Sequence, residues 1–139
     1  MLFKGAGEAP PASAPGTPGT IGWHELSALD ALPAFEFYAA LFGWTIVESM
    51  DMGPMGKYHM FAIDGVPCGG VMNKVEQQPA PAWLYYVNVP EIESATARIK
   101  AGGGQVIHGP AEVPGGSWIV NGIDPQGAPF AVVAPPKAA

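Results

Sequence analysis

Residues 22–44 read GWHELSALDALPAFEFYAALFGW, and the apolar period changes halfway through. Ile21 to Leu29 reads as a strand. Asp30 can then cap a helix whose first turn tolerates Pro33, and Gly43 can end it. Leu32, Phe35, Ala39 and Phe42 recur every three or four residues, which puts them on one side of that helix. His24 and Glu25 are neighbours on the strand, where successive side chains point to opposite faces. Trp23, Glu25 and Ser27 therefore share one side, and His24, Leu26 and Ala28 the other. The adjacent pair cannot converge on one ion without a bulge.

Further along, Trp44 to Ser49, Tyr58 to Ile63 and Val66 to Asn73 read as strands, the last weakened by Gly69 and Gly70. The pattern then repeats. Trp83 to Val89 is a strand, and Glu91 to Ala101 a helix with Ile92, Ala95 and Ile99 inward. Its acids lie early and its bases late, as the helix dipole favours. Gln105 to His108, Ser117 to Asn121 and Ala128 to Ala134 supply three more strands. Asp30 and Glu91, like Gly43 and Gly104, stand 61 residues apart, so an internal duplication is the simplest explanation. The run Gly102, Gly103, Gly104 follows a helix instead of opening one, so it is a helix stop and not a phosphate loop.

A chain of 139 residues suffices for one domain with a real core. Residues 1–20, rich in proline and glycine, read as a flexible arm, and 21–139 as a single domain with modules at about 21–74 and 82–134. Apolar residues make up 48%, yet no run reaches the roughly 18 residues of a membrane helix, and no basic-then-apolar leader is seen. A cytoplasmic, soluble protein is expected. The lone Cys68 rules out an internal disulfide framework. A net charge of −6 with only six Lys and Arg gives no basic face for nucleic acid. A small organic ligand or another protein chain remains as partner, and no cofactor is called for.

Three motifs, DALPAFEFYAALFGW (Asp30–Trp44), EIESATARIKAGGG (Glu91–Gly104) and DPQGAPF (Asp124–Phe130), resemble the vicinal oxygen chelate superfamily. That group holds glyoxalase I, the bleomycin resistance proteins and the extradiol dioxygenases. The resemblance covers about residues 21–134 and implies an α+β fold: two βαβββ modules forming a curved mixed sheet around a central cleft. Two-module members often pair, so a homodimer is implied as well. In metal-dependent members, first-strand histidines and last-strand carboxylates hold an ion with open positions for a chelating substrate.

Transferred to this chain, the first-strand positions fall on Trp23 and Leu84, and the last-strand positions on Gly69 or Gly70 and on Ala131. None offers a donor atom to a divalent ion, so no metal is expected. By the duplication, Trp23, Glu25 and Ser27 face Leu84, Tyr86 and Asn88 in a largely apolar cleft. Glu25 there is either a partly desolvated carboxylate, fit to act as general base or ligand acceptor, or a solvent-wetted one at the cleft mouth. Trp118 forms a wall of the cleft or belongs to the core. Tyr58 and Asn121 lie on middle strands whose facing side the sequence leaves open. His24 reads as a structural histidine bonded through one ring nitrogen, with a ligand or base as the alternative. His59 and His108 read as surface or packing residues, and Cys68 as packing. MDMGPMGK (Met50–Lys57) is a mobile flap or a simple connection. Three functions stay open: metal-free binding or sequestering of a small organic molecule, a metal-dependent lyase, isomerase or dioxygenase, and a metal-independent enzyme using Glu25 as base.

Overall fold

The computed structural model describes residues 5–138; residues 1–4 of the expected arm lie outside the described part. The elements are β1 (Ile21–Ala28), α1 (Ala31–Phe42), β2 (Thr45–Asp51), β3 (Lys57–Ile63), β4 (Val66–Asn73), β5 (Ala82–Asn88), α2 (Ile92–Ala101), β6 (Gln105–Glu112), β7 (Trp118–Ile123) and β8 (Pro129–Ala134). They form two βαβββ modules in one mixed sheet of eight strands, ordered β2-β3-β4-β1-β5-β8-β7-β6. β1 runs parallel to β4 and β5 parallel to β8, while β1 and β5 pair antiparallel at the centre. Glu25 pairs with Gly70, and Tyr86 with Ala131, so both partners keep the duplication offset of 61 residues.

Strand alternation sorts the side chains by face. Leu26, Phe61 and Val71 pack under α1 with Ala31 and Phe35; Val120, Val132 and Ala134 pack under α2 with Ile92 and Ala95. Leu26 pairs with Trp83, and Val87 two pleats on pairs with Val132, so both helices cover the same face. Trp23, Glu25 and Tyr86 are left on the opposite face. There the site is built.

The inward side of α1 differs from the spacing-based expectation. Ala31 and Phe35 are buried with Ala34, Tyr38 and Ala39 packed around them, whereas Leu32 and Phe42 are 47% and 59% exposed. The helix is apolar nearly all round, so period alone does not choose its face. The alanines let the backbone lie close to the sheet. Gly43 ends the helix as expected, in the left-handed region (φ 71°), with its N–H donating to the Ala39 carbonyl at 2.8 Å.

The two helix starts are capped differently. Glu91 accepts from the N–H groups of Glu93 and Ser94 at 2.8 and 2.7 Å; a hydrogen bond shared with the Glu93 side chain, then these N–H groups, hold its carboxyl down to about 2. Asp30 occupies the matching position but makes no capping bond; Asn73 Oδ1, at the end of β4, accepts from the Ala31 N–H at 2.8 Å instead. Asn73→Ala is therefore expected to cost about 1 kcal/mol in urea unfolding, with Asp30→Ala nearly neutral; the reverse order would refute this assignment.

β6 continues to Glu112, past the expected end at His108, because its position at the sheet edge tolerates Gly109 and Pro110 through register shifts on either side of His108. The arm's last residues are tied down: the Gly19 N–H donates to the Asn88 carbonyl at 2.9 Å, and the Asn88 N–H to the Thr20 carbonyl at 2.8 Å.

Candidate functional site

Glu25 lies at the middle of the helix-free face, on β1. Its Oε2 accepts from the Tyr58 hydroxyl at 3.1 Å and its Oε1 from the Tyr86 hydroxyl at 3.2 Å. Each phenol is itself held by a donor: Trp23 Nε1–H to Tyr58 at 2.8 Å, and Asn121 Nδ2–H to Tyr86 at 3.3 Å. An indole nitrogen can only donate, so the phenolic oxygen must accept there and turn its own proton toward the carboxylate. Two relays of donors thus converge on one acidic group.

The network spans the sheet because the two intervening strands place a glycine and an alanine at the crossing points. Tyr58 comes from β3 and Asn121 from β7, neither adjacent to the strand it reaches. Tyr58 crosses β4 over Gly70, where a Cβ would meet its ring at 2.1 Å; Asn121 crosses β8 at Ala131, with which it pairs. Gly69 faces the other way, into Phe61, so the last-strand position of module one is Gly70. Gly70→Ala is expected to push the Tyr58 ring off the sheet, costing about 1–3 kcal/mol and breaking the bond to Trp23. The Trp23 indole N–H resonance reports this: an unmoved signal in the variant would count against the crossing.

Burial raises the Glu25 carboxyl above its ordinary range, only partly offset by the two phenolic bonds. Burial, then the Glu25 charge, pushes both Tyr58 and Tyr86 upward, which keeps them protonated as donors. Among the described residues, Glu25 has no ion-pair partner.

The other candidates are distributed as follows. Leu84 pairs with Glu25 across the central seam. Asn88 stays out of the network: its Nδ2–H donates to Thr20 Oγ1 at 3.1 Å, and it fills the space left by Gly22. Trp118 is no cleft wall; it packs beside α2's cluster, with Lys137 Nζ 3.9 Å above its ring. His24 lies on the helix face, its Nδ1–H donating to the Cys68 carbonyl at 3.0 Å and its ring edge-on to Tyr85. His59 is buried there too, 2.7 Å from Ser49 Oγ, and His108 is exposed. Cys68 packs in the first core, and burial pushes its thiol up, away from nucleophilic use. The MDMGPMGK segment is a connection closed by a short turn at Gly53–Met55, with Asp51 accepting from the Gly53 N–H at 2.8 Å.

A family model described as Glyoxalase/Bleomycin resistance protein/Dioxygenase superfamily matches residues 20–132. The chain belongs to that superfamily. Among its relatives, the anthracycline biosynthesis protein DnrV of Streptomyces peucetius is 32% identical over 83% of this chain and 46% of its own length. The putative glyoxylase CFP32 of Mycobacterium bovis is also 32% identical, over 84% of this chain and 44% of its own. The chain thus spans about half the length of these curated relatives. Among solved structures, the methylmalonyl-CoA epimerase of Mycobacterium tuberculosis superposes with TM-score 0.62 at 15% identity, covering 87% of this chain and 92% of that one. A methylmalonyl-CoA epimerase in complex with methylmalonyl-CoA reaches 0.63 at 16%, covering 86% and 96%. These likenesses carry the superfamily's fold.

The superfamily's metal does not fit the residues present. The four positions onto which the resemblance transfers its ligands hold an indole, a hydrogen, an isobutyl group and a methyl, at Trp23, Gly70, Leu84 and Ala131. The indole N–H and the space over Gly70 are already used by Tyr58. Among the described residues, no three His, Cys, Asp or Glu side chains are grouped to hold an ion elsewhere.

Proposed function

We propose that the chain is a metal-independent, small-molecule binding member of the superfamily, with Glu25 as the polar anchor of its ligand. One observation carries this reading: Tyr58 lies across Gly70, where metal-dependent kin would place a carboxylate, and gives its hydroxyl to Glu25. The space of the ion is converted into a hydrogen-bonded platform. Elemental analysis of protein grown with zinc, nickel, manganese and iron is expected to find far less than one ion per chain. Thermal stability should be indifferent to a chelator. A stoichiometric ion lost on chelation, together with stability, would overturn the proposal.

A second reading is supported by the raised carboxyl of Glu25: a desolvated base that takes a proton from carbon or oxygen of the bound molecule. Tyr86 and Tyr58 would then hold the carboxylate in position. Solvent-deuterium incorporation into a panel of carbonyl compounds tests it: exchange by the native chain and none by Glu25→Gln supports proton transfer, whereas equal exchange dismisses it.

The proposal includes a homodimer. Leu29, Phe37, Leu41 and Phe42 are 73%, 61%, 58% and 59% exposed on and beside α1, whose one charged residue is Glu36. Two copies joined there hide apolar area, with Glu36 the one charge that the helix of each brings to the contact. Light scattering should find the native chain paired and Phe37→Glu shifted toward monomer; identical masses would exclude this face.

A further inference from the structure

We propose that the Glu25 site takes an organic cation, a protonated or quaternary amine on an apolar body. This deepens the binding reading and rests on it. The convergence of donors carries the argument. Both relays, Trp23 to Tyr58 and Asn121 to Tyr86, point their protons at Glu25, an arrangement that favours a negative charge at that spot. Among the described residues, no cation lies within ion-pair distance of it in return. Facing Glu25 are Tyr58 from β3 and Tyr86 from β5, both neutral donors, with Gly70 on β4, Ala131 on β8 and the neutral Asn121 on β7. The histidines of this half, His24 and His59, are on the far side, bonded to Cys68 and Ser49. Among the described residues, the site is therefore a carboxylate prepared for charge without a counterion.

A ligand that brings the missing charge gains most. A carboxylate can accept about four hydrogen bonds, and two are used. The half-buried rings of Trp23 and Tyr58 beside it are the kind of surface on which an ammonium group rests. Leu84, opposite Glu25, and Met60, opposite Gly70, offer apolar contact to the rest of the molecule. An acceptor or an anion would meet the carboxylate itself. Selection by charge follows from the same geometry that excludes a metal.

Three probes of one size test it: phenethylamine, phenethyl alcohol and hydrocinnamate, carrying positive, zero and negative charge. Binding is read from the Trp23 indole N–H signal, and proton exchange from calorimetry in two buffers of different ionisation enthalpy. The amine should bind at least about tenfold tighter than the alcohol, with no response to the acid. Below the raised carboxyl pKa of Glu25 its binding should release a proton, because the cation favours the ionised form. Glu25→Gln should erase both the preference and the proton release. Alcohol binding as tight as amine binding at Trp23 would overturn the cation inference and leave the binding site standing. If none of the three moved the Trp23 signal at millimolar concentration, the binding reading itself would fall.

Discussion

Phe61→Ala is expected to lower the unfolding free energy by about 3–5 kcal/mol, the largest effect of any single truncation in this chain. The ring is 1% exposed, stacks on Trp44 at 4.7 Å and 8°, and leans on Phe35 at 5.8 Å. Gly69 is shaped around it, since a Cβ there would come within 2.4 Å of its tip. With Gly69 on one side and the rings of Trp44, Phe35 and Trp83 on the others, the hole is bounded by a residue without a side chain and by stiff aromatics that refill it poorly. The cavity and lost-transfer contributions therefore both count in full. Guanidinium unfolding measures the loss; a cost under about 1 kcal/mol would mean that the first core is far more pliable than its packing implies.

Glu25→Gln should change the pH profile of stability and not merely its height. Because burial raises the carboxyl, the folded chain keeps its proton to higher pH than the unfolded chain, whose ordinary value is 4.5. Raising the pH through that window removes stability, by at most about 1.4 kcal/mol per pH unit for one proton. Above the folded pKa the whole cost is present. The Gln variant carries no such charge, so it should be the more stable protein at neutral and alkaline pH, with the two profiles approaching each other toward pH 4.5. The same substitution should erase the proposed preference for a cation, a trade common where a binding group is held against its own stability. Urea midpoints across the pH range, compared for the two proteins, decide the matter: parallel curves would show that the fold does not raise the Glu25 carboxyl.

Much of this was legible in the sequence, and the losses have identifiable causes. The duplication offset survives in the strand pairing, and alternation along β1 correctly separated His24 from Glu25. Tyr86 opposite Glu25 followed from those two facts. Tyr58 and Asn121 did not, although they complete the relays. The pairing of β3 with β4 skips Cys68, where Phe61 faces Gly69 but Ala62 faces Pro67, so a register counted from the β3–β4 turn does not reach Tyr58. A usable signal existed: Met60 and Asn121 differ by the same offset, and both pair with the small residues Gly70 and Ala131. Trp118 was uncertain because aromatic bulk suits a cleft wall and a core equally. The stripe of α1 misled because nearly every position on that helix is apolar.

Trp83 belongs to the second module by sequence yet sits edge-on to Trp44 and Tyr38 in the first module's interior, at 6.1 and 5.2 Å. One half thus lends the other a piece of its filling. A gene fragment encoding only the leading repeat would leave that slot vacant, with Phe61 and Trp44 laid open to water. Ancestral doubling notwithstanding, the halves have become mutually dependent, so heat should melt them in a single step and neither should persist alone.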